Sequence, residues 1–271
     1  MAESTLSLTR TDLLNATAFL LGFGVSYSGI TDSNKQTLVQ RCVDSGLRSF
    51  YAPTPLQGER IAHIWSFMQP LMVLPIGASM SCVDLPDDFG GMVGSVYLSS
   101  DDSAWRQIRF TGLGQILGLR QAANGSVNGT PQLVATRPME TDGSDGQRFA
   151  LEVYPTTDAP YSFQFTYYSN PYQLTESKPY PCGGQPHAET LREACLAAVE
   201  REVWQDMGIH TAAFKERLAA SVALDRRLTG PKSFGMNSDA DRFTIANHRL
   251  IPFLGRSGYV TYNGQLGDLS S

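Results

Sequence analysis

The residues with which this chain could do chemistry are four histidines, four cysteines, a few paired aspartates and one glycine-rich run. Their spacing assembles none of the familiar reaction centres. His63, His187, His210 and His248 fall in no H-x-x-x-H or H-E-x-x-H pattern, the spacing that turns two imidazoles toward one metal from a single helix face. Cys42, Cys82, Cys182 and Cys195 lie far apart without a C-x-x-C pair. They read as reduced packing thiols of a protein made in the cytosol. No metal and no organic cofactor is expected. Gly112-Leu-Gly114-Gln-Ile-Leu-Gly118 superficially resembles a dinucleotide loop, whose glycines bring backbone amides and a helix N-terminus against a pyrophosphate. It sits between β-type runs, so the sequence predicts a turn and a strand here, without a β-α-β frame. Asp84, Asp87 and Asp88, and the pair Asp101-Asp102, have the composition of calcium oxygens or paired carboxylates, but turn-forming aspartate explains them as well. No G-x-S-x-G elbow and no GxxxxGK[ST] phosphate loop occurs.

The elements that would have to position any site are clearer than the site. Tyr161 to Thr175, YSFQFTYYSNPYQLT, alternates with period 2, setting Tyr161, Phe163, Phe165 and Tyr167 on one face until Asn170-Pro171 stops it. After the link KPYPCGGQP, a helix begins near Pro186 with Leu191, Ala194, Cys195, Ala198 and Val199 on one stripe. Residues 10–51 read as two helices. Leu13, Leu14, Thr17, Leu20 and Leu21 line the first, closed by Gly22 and Gly24. Thr31 is the expected N-cap of the second, whose stripe is Leu38, Val39, Cys42, Val43, Gly46, Leu47 and Phe50, ended by Pro53 and Pro55. The stretch around Trp65 and Phe67 is either a link or an extended segment that plugs the junction between modules. From Leu71 to Tyr168, seven short runs (LMVLP, MVGSVYL, WRQIRF, QILGLR, QLVATRP, RFALEVYP, FQFTYY) predict an antiparallel sandwich or small barrel. Gly208 then separates the helix from 187 onward from another one capped by Thr211, with Phe214, Leu218 and Val222 on its face.

Composition bounds the rest. The chain has 271 residues, 42% of them hydrophobic and 17% charged, with a net charge of −5. These values describe an ordered globular protein without the basic footprint of a nucleic-acid gripper. Charge is uneven: residues from Arg226 onward carry +3, leaving −8 for residues 1–225. The N-terminal MAESTLSLTRTD lacks a signal-peptide pattern and no apolar run approaches the ~20 residues needed to cross a bilayer. A soluble protein that is not exported by a signal peptide and has no membrane partner is expected. The sequons at Asn124 and Asn128 read as Asn-Gly turns.

The order of these pieces carries a resemblance. Two N-terminal helices ending in SGLRSFYAPTP, a β insertion after HIWSFMQP that contains DLPDDFGG, the strand FQFTYYSNPYQLT, the helix GGQPHAETLREACLAAVERE and the run FKERLAASVALDRRLTGPKSFGMNSD together resemble head-to-tail adaptor (neck) proteins of tailed bacteriophages, the tail-tube-A-like group. The resemblance spans roughly residues 10–240 and rests on order and character rather than on an invariant motif. It implies an α+β fold: a helical bundle built from N-terminal and C-terminal helices, an inserted antiparallel β sandwich or barrel, and an extended C-terminal arm. The corresponding boundaries are 1–65, 66–170, 171–228 and 229–271. It also implies a non-enzymatic virion protein, a ring of self-copies, commonly twelve, beneath the portal protein. Such a ring meets the next tail component and lets double-stranded DNA pass.

The residues themselves assign the arm. Helical period ends after Leu228 while large apolar side chains continue, so Arg226, Arg227, Phe234, Phe243, Arg249, Ile251, Phe253, Leu254 and Tyr259 are the expected residues for docking on the portal or a neighbouring subunit. An ordinary meander laid on its own domain is the plain alternative for this stretch. Many alanines between Ala188 and Ala223 would allow close helix approach in a ring, or simply supply helix propensity. Two other functional readings stand beside the adaptor. One is a different neck or tail ring component, such as a stopper, tail terminator or baseplate hub. The other is a β-sandwich binding module or hydrolase with its site on loops 120–130 or 139–147.

Overall fold

The computed structural model describes residues 4–56, 58–99, 105–123, 127–141, 143, 146–229, 261–262 and 265–266. Residues 1–226 form one compact unit and residues 227–271 a second.

Local sequence sets the first two helices. α1 (Arg10–Leu20) opens with a reciprocal capping box, in which the Thr9 side chain accepts the Asp12 N–H at 3.3 Å and the Asp12 carboxylate accepts the Thr9 N–H at 2.8 Å. α2 (Ser33–Tyr51) is capped by Asp32, which accepts the Asn34 N–H at 2.9 Å. Thr31 does not serve as the cap. A carboxylate one residue later supplies the acceptor and also complements the positive end of the helix dipole.

α4 (Ala188–Val199) comes from the other end of the unit and crosses α2 at very short range. A Cβ placed on Gly46 would sit 2.5 Å from the Cys195 Cα. The glycine is there for that approach, not for an unusual φ. Leu13, Val43, Leu47, Leu191 and Cys195 thereby join one apolar cluster with Leu218 and Val222 of α5 (Ile209–Thr229). Cys42 is buried as well, while Leu38 is only half-buried. Trp65 plugs this cluster. Its ring stacks 4.6 Å from Phe50 and 5.3 Å from Phe67, and its indole N–H donates to the Phe50 carbonyl at 2.9 Å.

Among the described residues the β part is built on a seven-stranded, nearly closed sheet. Its strands are β1 (Leu71–Ile76), β2 (Cys82–Asp84), β3 (Phe89–Ser99), β4 (Arg106–Phe110), β6 (Leu133–Pro138), β7 (Phe149–Tyr154) and β9 (Tyr161–Ser169), in the order β1-β9-β3-β4-β6-β7-β2. Two-residue strands β5 (Asn128–Gly129) and β8 (Thr156–Thr157) pair separately. β9 alternates as its sequence requires, with Tyr161, Phe163, Phe165 and Tyr167 turned into a second apolar cluster beside Leu74, Val96 and Leu151. In the second unit, β10 (Thr261–Tyr262) pairs antiparallel with β11 (Gln265–Leu266).

One predicted strand is a helix. QILGLR lies in α3 (Leu113–Ala122), and β4 and β6 on either side of it are parallel, pairing Arg109 with Leu133 and Phe110 with Val134. A β-α-β frame is therefore present where none was expected, and the sheet is mixed rather than antiparallel. The reason is packing. Leu113, Ile116, Leu117 and Arg120 follow helical spacing, Ile116 is fully buried, and Arg120 ties the helix to the sheet. The Arg120 guanidinium donates to the Ser81 and Val153 carbonyls at 3.1 and 2.9 Å and lies 2.8 Å from the buried Glu152 carboxylate. Short apolar runs broken by glycine do not separate helix from strand by period alone.

Two glycines should respond in opposite ways to alanine. Gly46→Ala forces α2 and α4 apart and should cost about 1–3 kcal/mol. Gly118→Ala, inside α3 where an added Cβ meets nothing within 4 Å, should stabilise by about 0.5–1 kcal/mol. Chemical denaturation of both variants checks this, and a neutral Gly46→Ala would mean the crossing is looser than described.

Candidate functional site

Polar groups gather where the helices meet the link to the sheet. His63 Nε2 lies 2.8 Å from Asp225 Oδ2, while Asp225 also accepts the Ser66 N–H at 3.1 Å and the Ser66 hydroxyl. The residue types are those of a hydrolytic triad, but the wiring is different. Serine and histidine both bind the same carboxylate, leaving the hydroxyl without an imidazole base, so the arrangement fastens chain to chain and does not activate a nucleophile. Burial would push the Asp225 carboxyl up, yet the bonds from Ser66 and His63 outweigh it and hold the group below the usual carboxylate range. His187 is buried against Phe50, Trp65 and Phe67. Its Nδ1 has no hydrogen-bond partner among the described residues, and burial pushes its pKa down.

A further fixed point escaped the sequence. α4 runs into a π-helical turn (Glu200–Trp204), and Gln205 then adopts a left-handed conformation at φ 55. The Glu200 side chain turns back to cap α5. It accepts the N–H groups of Gly208, His210 and Thr211 at 3.0, 2.9 and 2.8 Å and the Thr211 hydroxyl at 2.7 Å. Thr211 therefore lies inside the first turn and Glu200 is the cap, because a carboxylate satisfies three orphan amides that one hydroxyl cannot. Gly208 leaves room for it, since a Cβ there would fall 2.5 Å from Glu200 Oε1. Glu200 is 1% exposed. Burial raises its pKa, but the bonds from Thr211 and His210 prevail and keep it low.

Around this turn large apolar side chains stand exposed among the polar Arg201, Gln205 and Asp206. Trp204 is 49% exposed, Met207 79% and Ile209 78%. A groove of about 610 Å³ opens beside them, lined by apolar Ala52, Ala197, Met207, Phe214 and Leu218 and by polar residues that include Arg201, Asp206 and Lys215. Ala212, Ala219, Ala220 and Ala223 lie on the exposed face of α5.

Of the residues expected to dock, Arg226 and Arg227 fall in the exposed part of α5. Arg226 is already engaged, forming a two-pronged pair with Glu59 at 2.6 and 2.8 Å. Phe234, Phe243, Arg249, Ile251, Phe253, Leu254 and Tyr259 lie outside the described residues, as do Asp101 and Asp102. Asp87 pairs with Arg148 and Asp88 accepts from Tyr167, both in keeping with turn and strand roles. Among the described residues no three His, Cys, Asp or Glu side chains converge as a metal would require. No helix among them is long and apolar enough to cross a membrane.

What these parts belong to is decided by the match of residues 9–234 to the family described as SU10 adaptor protein. The chain belongs to this phage head-tail adaptor family. No curated protein matches the chain. The SU10 adaptor family is one of virion structural proteins, and the match includes both helical ends and the whole sheet. It stops at residue 234, so most of the expected docking residues lie past its limit.

Glu200 and Asp225 both have folded pKa values below their unfolded ones. Their stabilisation is present in full above the ordinary carboxylate range, near pH 4, and is lost as pH falls through the depressed folded values. Glu200→Gln should cost about 1–3 kcal/mol at pH 7, a cost that shrinks as pH falls through the lowered folded value of Glu200. Denaturant melts from pH 7 downward test it; equal stability at pH 7 would show that the cap contributes nothing.

Proposed function

We propose that the chain is the subunit of a ring, commonly twelve-membered, that sits beneath the portal, connects capsid to tail and lines the DNA channel. The observation that carries this reading is the exposure of Trp204, Met207 and Ile209 beside the alanine face of α5. A lone subunit would leave these side chains in water, whereas a neighbouring copy would cover them and approach closely along the alanines. The acidic body, −8 over residues 1–225, suits a channel wall past which DNA must slide, since a basic lumen would hold phosphates by counterion release.

In this reading residues 1–65 and 171–228 make the helical wall, 66–170 the β module that meets the next tail component, and 229–271 an arm that docks on the portal or a neighbouring subunit. Phe234, Phe243, Ile251, Phe253, Leu254 and Tyr259 would supply its apolar contacts and Arg227 and Arg249 its steering charge. No catalytic step is assigned to any residue.

The mass of the purified protein with and without portal rings tests the proposal. A monomer that becomes a stoichiometric ring only on the portal is expected; self-assembly without it would favour a stopper, terminator or hub. Met207→Asp should leave monomer stability within about 0.5 kcal/mol, because the side chain is exposed, but should abolish ring formation. Truncation after Leu228 should keep the helix content and prevent retention on portal-bearing heads. A truncated chain that attaches normally would remove the arm from the docking surface.

A further inference from the structure

Past Val222, the part of α5 within the first unit has no large apolar side chain fully buried. Ala223 is exposed and Leu224 half-buried, and the turn is held instead by two consecutive charged residues. Asp225 reaches inward to His63 and Ser66, and Arg226 reaches sideways to Glu59. A carboxylate near a helix C-terminus opposes the helix dipole, so Asp225 owes its place to the link and not to the helix.

The two contacts differ in access. The His63 and Asp225 side chains are 9% and 4% exposed, whereas those of Arg226 and Glu59 are 51% and 29% exposed. The inner contact is shielded from water and the outer one is open to it. In geometry the outer one is a fork-to-fork guanidinium–carboxylate pair, 2.6 and 2.8 Å. An acidic protein surface would offer the same arrangement to Arg226.

We propose that Glu59 occupies Arg226 as an internal stand-in for a partner's carboxylate, keeping the end of α5 latched to the link until an acidic protein surface takes the arginine. This rests on the reading of the C-terminal region as a docking arm, and it makes docking competitive. The partner must displace Glu59, and the reward is the freed Arg226 guanidinium. A solvent-reachable pair of this kind is weak enough to be exchanged, while the buried Asp225 contact keeps the register of α5 during the exchange.

Full-length Glu59→Gln, Arg226→Gln and the double variant would be compared by hydrogen exchange alone and by titration onto purified portal rings. Glu59→Gln should raise exchange at residues 223–226 without changing α1, α2 or α4, and should tighten portal binding about threefold, a gain that shrinks with added salt. Arg226→Gln should weaken binding, and the double variant should match it. If Glu59→Gln leaves exchange at 223–226 unchanged, there is no latch. If it fails to tighten binding while Arg226→Gln weakens it, docking stands but Glu59 is no competitor. If neither variant nor truncation after Leu228 alters binding, the docking reading itself falls and the inference goes with it.

Discussion

The contact on which the rest of the helical part depends is the crossing of α2 and α4 at Gly46 and Cys195. With no side chain at Gly46, the two backbones approach until a Cβ could not fit between them. This closeness lets helices with 136 residues of sequence between them, 52–187, bury their stripes in one another, which neither could do alone. It also sets the width of the gap that Trp65 fills. The ring of Trp65 is completely buried, and the chain leaving it enters β1 six residues later. A shift of one helix would thus be felt at the entrance to the sheet, because interiors are too densely packed to absorb it.

Buried carboxylates then fasten what apolar contact leaves loose. Glu200 caps α5, Asp225 pins it to the link, and Glu152 of β7 holds α3 through Arg120 and β6 through Arg137. Each is desolvated, and each is tolerable only because donors surround it. Such groups specify a unique arrangement more than they add stability. A helix such as α5, with a short apolar face of Phe214, Leu218 and Val222, takes its position from its two polar ends.

Membership of a phage adaptor family implies a structural protein. For such a protein the informative features are those that a lone subunit leaves unused. In the proposed ring, the exposed Trp204, Met207 and Ile209 and the arginine paired with the chain's own glutamate would be the groups that a second molecule covers.

The sequence by itself determined which faces are apolar. The alternation in β9, the stripe of α2 and the stripe of α4 follow from period alone, because side chains on one face of a strand or helix recur at fixed intervals whatever they pack against. The strand runs other than QILGLR were legible for the same reason. The helix α3 was not, since a six-residue run with a glycine fits both periods, and only the anchorage of Arg120 and the burial of Ile116 choose between them. The partners of polar groups were beyond reach as well. Glu200 finds its donors across a turn, Asp225 meets Ser66 from 159 residues away and Arg226 meets Glu59 from 167. A charged side chain carries no period that names its partner. Only the packed backbone brings the two together, and that decided that Arg226 of the expected arm is already held.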